Sequence, residues 1–231
     1  MPRAVLAIPL IAVYTAAAGV AAIVCGLLRR ARAVRAIGVF WGRAILWTLG
    51  VRVRVAGAER CPSGPAVYAA NHGSALDIPI LFGHLPVDFR IIHKRSLYLV
   101  PVVGLYLYVT GHVGIDRGNA FRARKSLERA ASRIRGGTSV VVFPEGTRSR
   151  AAGVGPFKRG SFVIAVEAGV PVVPLSIVGV KQVAEGGLRV RAGTVQLLVH
   201  PLVPTAGRGV EQAAELAEEV RRIVVAGCAA A

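Results

Sequence analysis

The segment Asn71-His72-Gly73-Ser74-Ala75-Leu76-Asp77 sets an imidazole and a carboxylate five residues apart. Histidine changes charge near neutral pH, so a positioned imidazole accepts a hydroxyl proton and later returns it. An aspartate on the far ring nitrogen fixes the tautomer and stabilises the imidazolium that forms in passing. Five is not the same-face spacing of a regular helix, which is three or four. The pair acts as a base and its orienting partner if His72 lies on a strand-to-helix turn and Asp77 lies in the first helical turn, with Gly73 permitting the tight bend. Taken alone, the same residues also fit blander roles, Asp77 at a helix terminus and His72 as a satisfied polar side chain.

A second set of residues suits an anion. Gly114-Ile115-Asp116-Arg117-Gly118 ends a short apolar run with an arginine, and Val140-Val141-Val142-Phe143 runs into the polar turn Pro144-Glu145-Gly146-Thr147-Arg148-Ser149. Arginine makes paired, charge-assisted bonds to phosphate oxygens, while Gly146 and Thr147 offer backbone donors. If Arg117 and Arg148 converge, they make a pocket for a phosphomonoester. Glu145 beside a phosphate is unfavourable unless it orients an arginine, meets a substrate hydroxyl or holds the turn through an ion pair. Lys94 and Lys158 add positive potential at the entrance or belong to a solvated basic face. Asn71, Pro144 and Pro174 shape the site wall. His84, His93, His112 and His200 form no compact ligand spacing with His72, so they read as surface or packing residues and no metal is expected.

These groups must be positioned by a scaffold. Strand patterns cover residues 51–56, 66–70, 90–93, 113–115, 139–143, 172–177 and 196–199, with 51–56 alternating Val and Arg as an edge strand does. A short helix opens after residues 74–77 and runs toward Phe82, and longer helical patterns cover 120–135, 157–167 and 210–225. This alternation predicts an α/β sandwich, a mixed sheet flanked by helices. Pro86, Pro101, Gly104, Gly136-Gly137 and Pro201 mark connections, and no long linker or repeat divides the region.

The amino end differs from the rest. Residues 4–28 carry no charge, and as a helix they reach roughly 37 Å, enough to cross a hydrocarbon core of about 30 Å. Arg29, Arg30, Arg32, Arg35, Arg43, Arg52 and Arg54 follow without an intervening acid, which places that side at the cytoplasmic face. Within 33–49 the apolar side chains, Trp41 and Trp47 among them, oppose a basic side bearing Arg32, Arg35 and Arg43. Two placements fit: the first helix crosses the membrane, or it turns back as a shallow hairpin with the second. The expected organisation is therefore a membrane-anchoring helical region over residues 1–50 and one catalytic domain over residues 51–231. The chain of 231 residues has a formal charge of +17, from 29 Lys and Arg against 12 Asp and Glu. That charge attracts any polyanion. Without an interleaved aromatic recognition surface, nucleic acid is not the expected partner. Cys25, Cys61 and Cys228 are scattered and odd in number, which fits a reducing compartment rather than a disulfide framework.

Residues 71–77, Gly114 to Arg117, Phe143 to Ser149 and Val173-Pro174-Leu175 together resemble the four ordered motifs of the glycerol-phosphate and lysophospholipid acyltransferase family, and within it the bacterial 1-acylglycerol-phosphate branch. The His-x4-Asp element gains its specificity from being followed, in order, by Phe143-Pro144-Glu145-Gly146-Thr147-Arg148. The resemblance implies an acyltransferase-type sandwich preceded by membrane-associated helices. It implies an acyl donor on coenzyme A or acyl carrier protein, with no cofactor, and lysophosphatidic acid within membrane phospholipid as acceptor. His72 would be the general base and Asp77 its partner, while Arg117, Glu145, Gly146 and Arg148 match positions of acceptor binding or site organisation. Glycerol 3-phosphate, another lysophospholipid or an amino-lipid are alternative acceptors. Cell-membrane attachment with the catalytic domain on the cytoplasmic side is the implied location.

Overall fold

A computed structural model of the chain describes residues 2–116, 119–148, 153–185 and 189–230. Two helices lead, α1 (Pro2–Leu27) and α2 (Ala31–Thr48), and they pack side by side as a hairpin. Arg29 turns the chain between them at φ +54°. Tyr14 Oη donates to Thr48 Oγ1 at 3.3 Å and Trp41 Nε1 to Thr15 Oγ1 at 3.0 Å, so hydrogen bonds tie two otherwise apolar surfaces. Within α1, Ala7–Leu27 has a mean hydropathy of 2.2 and is long and apolar enough to cross a membrane.

The domain that follows alternates strands and helices: β1 (Val51–Ala56), β2 (Val67–Ala70), α3 (Asp77–His84), β3 (Phe89–Lys94), α4 (Val103–Val109), β4 (Val113–Ile115), α5 (Ala120–Arg135), β5 (Ser139–Val142), α6 (Gly160–Ala168), β6 (Val172–Val178), α7 (Val180–Val183), β7 (Ala184–Glu185), β8 (Arg189–Val190), β9 (Gly193–Val199) and α8 (Ala213–Ala229). Among the described residues the main sheet has the order β1-β9-β6-β2-β5-β3-β4. Strands β6, β2, β5, β3 and β4 run parallel, and β9 joins β6 antiparallel, bringing β1 with it. The sheet is mixed, as expected, and β1 is an edge strand.

The central strands are covered on both faces, which is why they read as continuous apolar runs. Their side chains alternate between two cores. Val67, Ala69, Val140 and Val142 face Ile134, Phe162, Leu216 and Val220 of α5, α6 and α8. Tyr68, Ala70, Val141 and Leu175 face Leu46, Ile80 and Leu81 of α2 and α3. Gly42 lets α2 press onto α3, since a Cβ there would stand 2.5 Å from Pro79 O and 2.7 Å from Gly83 N. The amino hairpin is thereby seated on the helix that begins at Asp77.

Two departures from the sequence reading have local causes. Helix α6 starts at Gly160 rather than at residue 157, because Lys158 N donates to Pro144 O at 2.9 Å and holds that stretch against the turn after β5. Helix α4 had no expected counterpart. Its seven residues are apolar or aromatic throughout and lack the charged face that marks the longer helices.

Candidate active site

Because β2, β3, β4, β5 and β6 run parallel, their carboxyl ends lie along one edge of the sheet. Ligand sites of open α/β sheets form outside that edge. Strand β2 delivers Asn71-His72 there, β5 delivers Phe143-Pro144-Glu145, and β3 ends at Lys94.

His72 Nδ1 lies 2.7 Å from Asp77 Oδ2. The same oxygen accepts Gly73 N at 2.8 Å and Ser74 N at 2.9 Å, so the turn after β2 wraps around one carboxylate oxygen. With two amide donors already on Oδ2, the ring contact is an Nδ1–H donated to the carboxylate, which leaves Nε2 with its lone pair free to accept. Ser74 Oγ accepts Leu76 N at 3.2 Å, closing the turn before α3 begins. Asp77 is 1% exposed, whereas the His72 side chain keeps 18% of its surface. The arrangement suits a base that must meet a substrate and a partner that must not.

Three further contacts fix the imidazole. Its ring stacks on Phe143 with centroids 4.1 Å apart and planes 25° from parallel. His72 N donates to Glu145 Oε1 at 2.7 Å, and Gly155 N donates to Glu145 Oε2 at 2.9 Å. Asn71 makes a paired bond to one residue of β6, its Nδ2 to Ile177 O at 2.9 Å and its Oδ1 from Ile177 N at 2.8 Å. The loop bearing Gly155 is gripped in turn by α8, where Arg221 Nε donates to Gly155 O at 3.0 Å and Nη2 to Val154 O at 3.3 Å. Gly146 sits at φ +80° with Lys158 Nζ 2.9 Å from where a Cβ would be. Thr147 and Arg148 are exposed on the same turn, Pro144 is buried beneath it, and Lys94 is exposed at the end of β3. Pro174 is buried in β6 opposite Ala69.

The acyltransferase family model matches residues 52–178, more than half of the chain. A 1-acyl-sn-glycerol-3-phosphate acyltransferase of Pseudomonas aeruginosa is 32% identical over 181 residues, covering 76% of this chain and 70% of that protein. The chain belongs to the acyltransferase family. Another member, a 1-acyl-sn-glycerol-3-phosphate acyltransferase of Chlamydomonas reinhardtii, is 39% identical over 157 residues, which are 66% of this chain and 47% of that one. This chain spans about half the length of that algal acyltransferase and of the plant acyltransferases it matches. Among solved acyltransferases, the 1-acyl-sn-glycerophosphate acyltransferase PlsC of Thermotoga maritima superposes with a TM-score of 0.74 at 32% identity, over 86% of this chain and 80% of that one.

In this member of the family the structure brings His72, Asp77, Asn71, Glu145 and Lys158 to one edge. Arg117, which would make a phosphate pocket if it converged with Arg148, lies outside the described residues. Glu145 spends both carboxylate oxygens on backbone amides, so its visible work is to brace the His72 turn. The other histidines pack elsewhere: His112 accepts Ile91 N at 2.8 Å, and His200 Nε2 meets Ser176 Oγ at 2.7 Å. Sequence reasoning missed Phe143 as the platform for the ring and missed Gly155 and Arg221 altogether. Phe143 was findable from its place at the end of β5. Gly155 and Arg221 carry no such signal, since they act through the Gly155 backbone, which no side-chain pattern displays.

Proposed function

We propose that this acyltransferase moves a fatty acyl group from acyl-CoA or acyl-acyl carrier protein to the sn-2 hydroxyl of 1-acyl-sn-glycerol 3-phosphate, forming phosphatidic acid. The observation that carries the reading is the His72–Asp77 contact of 2.7 Å, set beside the Glu145 turn in a chain related to enzymes of that name. His72 Nε2 takes the proton of the sn-2 hydroxyl as the oxygen attacks the thioester carbonyl. Asp77 holds the tautomer and balances the imidazolium. Collapse of the tetrahedral intermediate breaks the carbon–sulfur bond, and the departing thiolate takes the proton back from Nε2, so no acyl-enzyme forms on Ser74. Arg117, Arg148, Lys94 and Lys158 supply positive charge for the acceptor phosphate, with Gly146 and Thr147 shaping the turn that carries it.

In this reading residues 1–50 anchor the protein and residues 51–231 form the acyltransferase domain. The arginines after α1 favour a cytoplasmic orientation at the cell membrane. The packing of α1 back along α2 supports entry from one face. Acceptor and product then exchange with the lipid phase while the thioester carrier meets the aqueous side.

A donor and acceptor panel with product mass analysis tests the proposal. Phosphatidic acid is expected from 1-acylglycerol 3-phosphate with either thioester. Exclusive use of glycerol 3-phosphate would reject the lysolipid step, and free fatty acid as the sole product would assign hydrolysis instead.

A further inference from the structure

Between β3 and β4 the chain makes a 3₁₀ turn (Arg95–Leu99) and then α4, and most of this segment's apolar side chains turn outward. Leu99 is 84% exposed and Tyr108 74%, and Leu97, Val102, Val103 and Leu105 are exposed beside them. Scattered apolar residues on a surface are ordinary, but a contiguous set marks an interaction site. Nor is this a loose loop. Tyr98 Oη donates to His112 O at 2.7 Å and accepts Gly114 N at 3.1 Å, so the inward-facing residue of the turn is pinned to β4. Gly104 N donates to Val100 O at 2.7 Å, and Gly104 lacks the Cβ that would collide with the Tyr98 backbone. Val103 N donates to Pro101 O at 2.7 Å across Val102, which is held at φ +63° and ψ −54°. A β-branched residue in that conformation is a backbone outlier. The scaffold holds the strained residue with its side chain in the open.

We infer that this segment is a second membrane-contacting surface, one that seats the acyltransferase domain itself on a lipid leaflet beside the α1–α2 hairpin. The inference rests on the membrane attachment proposed above. The occupant follows from continuity and charge. Helix α4 packs on α1, where a Cβ at Gly26 would come 2.7 Å from Val109 Cγ1. Val20, Val24 and Leu27, within a turn or two of Gly26 on α1, are exposed as well. Lys94 and Arg95 stand exposed at one border of the segment, and Arg29 and Arg30 at the end of α1. An apolar face rimmed by cations suits a leaflet whose surface is anionic. The 3₁₀ turn, immediately after β3, lies at the sheet edge from which His72 emerges.

The test uses the full chain with Cys25, Cys61 and Cys228 replaced by Ala and one environment-sensitive fluorophore on Leu99→Cys, in vesicles of phosphatidylethanolamine and phosphatidylglycerol. A label on Leu202→Cys, which follows β9 at the opposite edge of the sheet, serves as the reference. Sedimentation with vesicles reads the attachment, and quenching reads the inference. The Leu99 label should brighten several-fold on vesicle binding, be quenched by nitroxide-bearing lipids and resist aqueous iodide, while the Leu202 label does the reverse. Bound protein whose Leu99 label stays open to iodide would overturn the inference and leave attachment standing. Shielding from both quenchers would assign the surface to a second copy of the chain and overturn it equally. Protein that fails to sediment with vesicles at all would overturn both readings. As a second variant, Leu99→Asp with Leu105→Asp should weaken vesicle binding several-fold while leaving turnover of a short-chain, water-dispersed lysolipid unchanged.

Discussion

In the proposed mechanism the chemistry turns on one carboxylate oxygen. Asp77 Oδ2 gathers the His72 ring and the amides of Gly73 and Ser74, while Oδ1 is buried with no hydrogen-bond partner among the described residues. An asparagine can turn its carbonyl oxygen to the same three donors, so the turn survives, but it brings no negative charge to the imidazolium. Asp77→Asn is therefore expected to keep its fold by circular dichroism and to lose turnover by roughly 10²–10⁴-fold, the usual worth of a positioned acid–base pair. Turnover close to that of the parent would mean that the charge of Asp77 does no catalytic work. At this scale the sequence was only half legible. Residue types and order pointed to His72, Asp77 and the Glu145 turn, but the five-residue spacing left the contact open. What closes it is the wrap of residues 72–74 around Oδ2, a backbone event that no side-chain pattern displays.

Elements carry the bracing of that turn. The carboxyl ends of β2 and β5 are joined by Glu145, and Glu145 is joined through Gly155 to Arg221 of α8. A Cβ at Gly155 would stand 2.9 Å from Glu145 Oε2, so Gly155→Ala pushes on the brace without touching His72 or a lysolipid. The expected result is a fall in kcat of about tenfold, or 1.4 kcal/mol, with KM for the thioester donor little changed. Arg221→Ala should cost a similar factor, and the double variant should cost less than the product of the two because both act through one contact. Multiplicative effects would show that the two residues act separately. The strands themselves were readable because buried parallel strands are continuous apolar runs, and α8 was readable from its charged and apolar faces. Helix α4 and the later start of α6 were not, since one lacks a polar face and the other is set by a hydrogen bond to a distant turn.

For the whole molecule, the amino hairpin, the sheet and the helices on both faces together support the edge that bears His72. Its stability depends on histidines that the site does not use. His112 is almost fully buried, and burial, followed by the charge of Arg90, pushes its pKa down to about 3. Burial shifts His84, His93 and His200 in the same direction. In the unfolded chain a histidine titrates near 6.5, so between about 6.5 and 3 the unfolded state binds the proton that the folded state refuses. The His112 contribution is complete above pH 6.5 and is lost progressively as the pH falls toward 3. Thermal unfolding followed from pH 7.5 to 5 should therefore show Tm falling, and His112→Gln should flatten that fall. A parent Tm independent of pH over this range would contradict the assignment.

If His72 is the base for acyl transfer, its removal must stop the transfer and leave the anchor intact. Membranes bearing the parent chain or His72→Ala, matched for protein and for resistance to a carbonate wash, are given labelled acyl donor and 1-acylglycerol 3-phosphate, and labelled phosphatidic acid is counted. A drop of roughly 10²–10⁴-fold is expected in the variant, with membrane binding unchanged. Transfer by His72→Ala at the parent rate would contradict it.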